Sequence, residues 1–314
     1  MNDYYVGIDL GGTRVKIGLI RDEEIIERTM IPANAAQGLA HSLPLIRDAV
    51  NGLLEKNKLS PASLSGIGLG FPGIVDPEKK KILSTNAKYD DALDIDLEEW
   101  FNKYWSGHFF IDNDARVAAV GEWKYGAGKD SDDLVMITIG TGIGTSVITG
   151  GKLLRGKHFQ AGLGGHFTID YNGLPCTCGN IGCVEAHAST WSLRERIIHD
   201  PAFMHSAMSS VSVIDFETLF LEAEKKDHLA VRMREDCFNV WAAGLVNLIH
   251  AYDPELIVIG GGVMNNRDQI LSGLTAKVHQ HAWTPWGKVA ICASELMEDA
   301  GITGAVYCLK YTVK

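Results

Sequence analysis

Apolar positions change their spacing along this chain, and the changes mark its elements. From Tyr4, the run YYVGIDL, a GGT turn and the run RVKIGLI read as two strands, the second alternating at Val15, Ile17 and Leu19. Between residues 43 and 56 the spacing lengthens. Leu43, Ile46, Val50 and Leu53 fall on one helical face, and Pro44 suits a first turn. Residues 65–70 read as a buried strand, 71–76 as a turn entering a short strand, 109–112 as another strand and 115–125 as a helix. A second strand–turn–strand begins near residue 133, with LVMITIG leading through a glycine turn to TSVITGG. It repeats the first at an offset of 129: Val6 falls on Val135, Ile8 on Ile137, Leu10 on Ile139, Gly11 on Gly140 and Leu19 on Ile148. The recurrence implies two homologous lobes facing one cleft; two unrelated hairpins are the alternative. Helices are expected at 190–198, 215–226 and 229–252, the last stopped by Asp253–Pro254. A fully buried strand at 256–259 runs into Gly260–Gly261–Gly262, and a final helix covers 301–309.

Composition narrows the class. The 314 residues suit about two domains, and 46% hydrophobic with 22% charged residues reads as soluble and globular. No run of eighteen apolar residues is present, so no membrane span is expected. The opening MNDYYVGIDLGG lacks a basic segment followed by an apolar one, which makes a cytoplasmic location the expectation. A net charge of −10 disfavours nucleic acid and anionic membranes as partners. It also repels ATP, so a nucleotide site would need backbone donors and a metal.

Three glycine turns follow three strands. In Asp9-x-Gly11-Gly12-Thr13 the glycines let backbone N–H groups approach phosphate oxygens, Thr13 adds a hydroxyl, and Asp9 could hold Mg²⁺ through water. A plain hairpin turn with a solvated aspartate is the bland reading. Gly140-Thr141-Gly142 and Gly260–Gly262 are the other two turns. There is no G-x-x-x-x-G-K-[ST], and no G-x-G-x-x-G lies between a strand and a helix with an acidic residue about 20 positions on. A nucleotide held by several turns fits better than either of those sites.

Of six cysteines, three crowd together, as His166-x9-Cys176-x-Cys178-x4-Cys183. Three thiolates and an imidazole match a closed, structural Zn²⁺ site, with Gly179 and Gly182 letting the backbone curl around it. His158 and His187 are reserve ligands. Asp112-Asn113-Asp114 ends a strand and begins a helix. A carboxylate fixed there could take the proton of an attacking hydroxyl, and Asn113 could serve neighbouring hydroxyls. Equally, Asn113 or Asp114 could be only a helix cap.

Together these segments resemble the ROK family (repressor, open reading frame, kinase). The resemblance runs in order through GIDLGGTRVKIGL, GLGFPGIVD, NDARVAAVGE, TIGTGIGTSVITGGKLLRG, the GGH ending at His166, CTCGNIGCVEAHAS and DPELIVIGGG, and covers nearly the whole chain. It implies an α/β, actin-like ATPase (ribonuclease H-like) fold of two lobes with an interlobe cleft. The N-terminal lobe would span 1–114, completed by a C-terminal helix at 301–314. The C-terminal lobe would span 115–300 and carry the zinc. It implies a glucokinase- or hexokinase-type enzyme that phosphorylates a hexose or N-acetylhexosamine at the 6-hydroxyl, using ATP and Mg²⁺, with Asp114 as the base. Gly73, Asn86, Asn113, His166 and Glu185 would touch the sugar. Asp9, Gly11, Gly12, Thr13, Gly140, Thr141, Gly142, Gly261 and Gly262 would hold the nucleotide. His166 would face zinc with one ring nitrogen and the sugar with the other. A homodimer is also implied.

One departure stands out. The family's G-E-x-G-H is here Gly162-Leu163-Gly164-Gly165-His166, so a sugar-binding carboxylate is replaced by Leu163. The family also includes sugar-responsive transcriptional repressors, which carry a basic N-terminal winged helix. The acidic balance and the start at the first strand favour the kinase over a repressor. A sugar-binding protein without catalysis is the third reading, and Leu163 is its one hint.

Overall fold

In the computed structural model, which describes residues 3–85 and 88–312, the chain forms two compact units. One comprises Met1–Asp130, Leu153–Ala161 and Glu295–Lys314, the other Ser131–Lys152 and Gly162–Ser294. The first begins with β1 (Tyr4–Leu10), β2 (Arg14–Arg21), β3 (Glu24–Pro32), α1 (Leu39–Lys56), β4 (Leu64–Phe71), β5 (Gly73–Asp76) and β6 (Lys81–Thr85). It continues with α2 (Leu97–Asn102), β7 (His108–Asn113) and α3 (Asp114–Tyr125). The second holds β8 (Leu134–Ile139), β9 (Ile143–Thr149), α4 (Val184–Ala188), α5 (Thr190–Ile198), α6 (Phe216–Glu224), α7 (His228–Tyr252), β11 (Leu256–Gly260), α8 (Arg267–His281) and β12 (Ala290–Ala293), and the short β10 (Lys152–Leu153) lies where the chain leaves it. The last helix, α9 (Ala300–Thr312), belongs to the first unit. Among the described residues no helix is long and apolar enough to cross a membrane.

The first sheet has the order β3-β2-β1-β4-β7, with β1, β4 and β7 parallel and β2 and β3 added as antiparallel hairpins. Its central strands are almost wholly buried, as their apolar sequences require. α1 buries Leu43, Ile46, Val50 and Leu53 in the same core. It starts at Leu39, earlier than residue 43, because Asp91 from a distant 3₁₀ turn (Asp90–Asp94) accepts the N–H groups of Leu39 and Ala40. Pro44 is therefore inside the helix. It sits on the exposed face, where water can serve the Ala40 carbonyl it leaves free. α9 lies so close to the sheet that a Cβ on Gly7 or Gly68 would strike the carbonyls of Ile302 and Ala305. Gly304 meets the Val117 carbonyl of α3 in the same way. Side chains larger than hydrogen there would lift the last helix off the unit it completes.

The second sheet has the order β10-β9-β8-β11-β12, with β8, β11 and β12 parallel. The strand order repeats that of the first sheet element for element, as the sequence recurrence implied. The offset is not constant, however. Leu10 pairs with Val15 in the first hairpin, but Ile139 pairs with Ile143 in the second, whose turn is one residue shorter. Beyond the turn the offset is therefore 128, and the counterpart of Leu19 is Val147 and not Ile148. Behind this sheet Trp241 of α7 is fully buried among Phe216 and Phe238, and its indole N–H bonds the Ala188 carbonyl at 2.8 Å.

Candidate active site

In an α/β sheet the polar groups that meet ligands gather beyond the C-terminal ends of parallel strands. In the first unit β1, β4 and β7 end together: Asp9 lies beside Gly70, Gly70 beside Asp112 and Phe71 beside Asn113. Asp9, Asn113, Asp114 and Gly73 meet at this edge. Asn113 Nδ2 donates to the Gly73 carbonyl at 3.0 Å. The Gly11–Thr13 turn continues from β1. It is closed by a bond from Gly11 N–H to the Arg14 carbonyl and tied from behind by the Tyr89 phenol, which donates to the Gly11 carbonyl at 3.0 Å. Asn86 lies outside the described residues.

The capping role at α3 falls to Asn113, whose Oδ1 accepts the Arg116 N–H at 3.1 Å. Asp114 is the first residue of the helix. Its Oδ1 accepts from Ala115 N–H at 2.7 Å and from Asn113 Nδ2 at 3.0 Å. Oδ2 has no hydrogen-bond donor among the described residues. Burial, and then the nearby Asp9 carboxylate, push the Asp114 carboxyl up to about 6, against the pull of Lys88 and the two hydrogen bonds. That value suits a group that must accept a proton near neutral pH. Asp9 is also raised by burial, and Lys16 at 3.4 Å opposes the shift.

Beneath these groups Asp112 is fully buried. Arg116 Nη1 meets it at 3.3 Å and Arg155 Nη2 at 2.9 Å, while Arg116 Nη2 also donates to the Phe159 carbonyl at 2.7 Å. The pairs bind the 153–161 segment into this unit and fix the strand end that carries Asn113 and Asp114. Paired charges of this kind set geometry more than they add stability. Reasoning from sequence missed them. Arg116, four residues after Asp112 at a helix start, could have been found by spacing; nothing local marks Arg155.

In the second unit Gly261, at φ 90°, presses on the backbone of Ile139, so the 260–262 and 140–142 turns stand side by side at the ends of β11 and β8. A Cβ on Gly140 or Gly262 would meet only open space. Their backbones are thus approachable by a ligand. Glu185 of α4, buried, accepts the Ile143 N–H at 2.8 Å, and Gly142 packs directly on its carboxylate. Thr190 N–H and Trp191 N–H donate to the Gly140 and Thr141 carbonyls. The turn is therefore held by the residues around Glu185 as well as by its own strands.

His166, Cys176, Cys178 and Cys183 converge, with all their donor atoms within 4.8 Å of one another. Cys178 Sγ and Cys183 Sγ are 3.8 Å apart, and Cys176 Sγ lies 3.6 Å from His166 Nδ1. A tetrahedral ion about 2.3 Å from each sulfur separates its ligands by about 3.8 Å, so the quartet fits Zn²⁺. Nδ1 faces the thiols and leaves Nε2 for another partner. Gly179 and Gly182 both have positive φ, and a Cβ at Gly182 would strike the Asp170 backbone. The reserve ligands stay apart: His187, on α4, accepts the Leu174 N–H, and His158 lies in a loop of the first unit. Leading into His166, Gly164 N–H donates to Thr145 Oγ1, which bonds the Gly162 carbonyl, and Gly165 is pressed on the Ile143 carbonyl. Leu163 is 38% exposed between them.

A family model described as ROK family matches residues 5–311. The chain is 31% identical to a glucokinase of Thermotoga maritima over 97% of its own length and 96% of that protein's. It is 32% identical to a glucokinase of Halalkalibacterium halodurans over 98% and 95%. It is 27% identical to a xylose repressor of Bacillus subtilis, covering 96% of this chain and 75% of the repressor. Among solved structures, a ROK family glucokinase from Streptomyces griseus in complex with glucose and AMPPNP superposes with a TM-score of 0.83 at 27% identity, over 98% of this chain and 99% of that one. A ROK hexokinase from Thermus thermophilus gives 0.79 at 26% identity, over 100% and 99%. The chain belongs to the ROK family, and its fold is that of the actin-like ATPases.

Proposed function

We propose that this protein is an ATP-dependent sugar kinase acting on the 6-hydroxyl of a hexose or an N-acetylhexosamine, with Asp114 as general base. The observation that carries the reading is the Asp114 carboxyl, raised to about 6 and set at a strand end by Asn113 and the Asp112–Arg116–Arg155 pairs. In the transfer, the sugar oxygen forms a bond to the γ-phosphorus as the bond from phosphorus to the bridging oxygen breaks. The electron pair leaves with ADP, and the hydroxyl proton passes to Asp114. The glucokinase relatives and the glucose–AMPPNP complex of a structural neighbour support substrate class and donor. Gly73, Asn113, His166 and Glu185 are the proposed sugar contacts, together with Asn86, which the family resemblance implies and which lies outside the described residues. Gly11, Gly12, Thr13, Gly140, Thr141, Gly142, Gly261 and Gly262 are the proposed nucleotide contacts. Asp9 is a single carboxylate at a strand end, the kind of ligand Mg²⁺ takes when phosphates and water supply the rest. Bound there, Mg²⁺ would neutralise phosphate charge. A zinc held by His166, Cys176, Cys178 and Cys183 would be structural, because four protein ligands leave no open position.

Leu163 bears on which sugar is used. A hydroxyl that would face a carboxylate there loses an acceptor, which disfavours a sugar needing that contact by about 1–3 kcal/mol. The test is ATP turnover with a hexose and N-acetylhexosamine panel, on the wild type and on Leu163→Glu. The expected result is turnover of at least one sugar and a shift of relative kcat/KM toward glucose in the variant. No ADP release with any sugar would sink the kinase reading in favour of the sugar-responsive regulator that the xylose repressor match represents.

A further inference from the structure

Lys88 occupies a position that the proposed reaction does not yet use. Its side chain lies on the Gly12 backbone: a Cβ on Gly12 would meet Lys88 Cε at 2.8 Å and Nζ at 3.2 Å. Among the described residues it has no ion pair or hydrogen bond, although the chain carries 39 carboxylate side chains. Its backbone is anchored by Tyr89, which is fully buried, holds φ 57°, donates its N–H to the Ala35 carbonyl and bonds the Gly11 carbonyl through its phenol. The residue after Lys88 is thus pinned to the very turn that Lys88 covers. A non-glycine residue in left-handed backbone is uncommon and is sustained only by such surrounding contacts.

We propose that Lys88 is a phosphoryl-contacting residue of the transfer, its ammonium at the Gly11–Gly12 turn meeting the terminal phosphate of ATP. This rests on the kinase reading above. An unpaired ammonium beside glycine N–H groups matches a dianionic terminal phosphate, and it stays close enough to Asp114 to favour that carboxylate's ionised form. The charged groups facing Asp114 are Asp9 of β1 and Lys88; Asp9 in turn faces Lys16 of β2 and Glu298. Lys88 is the cation that acts on the base directly. It would also balance charge as the γ-phosphoryl group moves from ADP to the sugar oxygen.

The experiment compares wild type, Lys88→Met and Lys88→Arg by calorimetric binding of Mg-AMPPNP and Mg-ADP, and by pH profiles of kcat/KM for the best sugar of the panel. AMPPNP affinity should fall about tenfold or more in Lys88→Met, while ADP affinity changes by less than about twofold. The acid limb of the profile should move to higher pH in Lys88→Met, and Lys88→Arg should restore both. Equal AMPPNP-to-ADP selectivity in wild type and Lys88→Met, with an unmoved acid limb, would overturn the assignment. A wild type that turns over no sugar, with AMPPNP selectivity still lost in Lys88→Met, would remove the kinase reading and leave the lysine assignment standing.

Discussion

Strand for strand, β3-β2-β1-β4-β7 and β10-β9-β8-β11-β12 are counterparts, yet their ends carry different chemistry. In the first unit the strand ends hold titratable groups, Asp9 and Asp114, with Lys88 alongside and a buried ion-pair network below. In the second the equivalent end of β8 holds glycine backbone, braced by one buried carboxylate, and its titratable donors are gathered into a metal quartet. The β1–β2 turn is also one residue longer than the β8–β9 turn. Two copies of one sheet can therefore divide labour. One carries buried carboxylates at its strand ends, and the other presents backbone N–H groups and a loop whose four donor side chains could hold a metal ion. Strand order decides where a site can form, and the few residues past each strand decide what it does.

The largest test of this division is Asp114→Asn. Asn keeps the shape, so folding and sugar affinity should hold while turnover drops about 100-fold or more. Steady-state kinetics beside sugar binding by calorimetry separate the two, and wild-type turnover would reduce Asp114 to a helix residue. The second unit is tested by its metal. Purified protein should carry one zinc per chain by elemental analysis, and Cys178→Ser should lower the melting temperature and the zinc content together, because binding there is coupled to local folding. A zinc-free protein that loses nothing in Cys178→Ser would break the comparison on that side.

A smaller effect is expected at Glu185. If its carboxylate braces the Gly140–Gly142 turn, Glu185→Ala should weaken Mg-ADP binding about tenfold even without sugar, by leaving the Ile143 N–H unpaired. Unchanged ADP affinity would confine Glu185 to the sugar. The last effect is on stability. The folded chain holds the Asp114 proton up to about 6, whereas the unfolded value is 3.8. The native state therefore loses stability as pH rises between those values, and the loss persists at neutral pH. Asp114→Asn removes that term. The variant should be more stable than the wild type by up to about 3 kcal/mol at pH 7 and equal to it below about pH 3, as read by urea unfolding. Parallel curves at both pH values would show that the carboxyl is not raised.

Much of this was legible along the chain. Residues whose partners are near in sequence announce themselves: the alternation of β1 and β2, the helical spacing of α1, the glycines between strands, and four metal donors within eighteen residues. In each case a short-range rule of backbone geometry or coordination chemistry constrains residue types at fixed spacings. The junction that carries Asp114 was also legible, as a strand end running into a helix, but its role as base came only from the family resemblance.

Only the tertiary structure decided the rest. Asp91 caps α1 from 52 residues away, Arg155 neutralises Asp112 from 43 residues away, and Tyr89 ties down Gly11 from 78. The one-residue difference between the two hairpin turns shows only in strand pairing, and the return of the 153–161 segment to the first unit shows only in packing. Such contacts join side chains whose positions along the chain bear no periodic relation, so no local pattern encodes them. They form because a buried carboxylate, a free helix end or a turn carbonyl must find a partner once water is excluded, and the fold determines which partner is within reach.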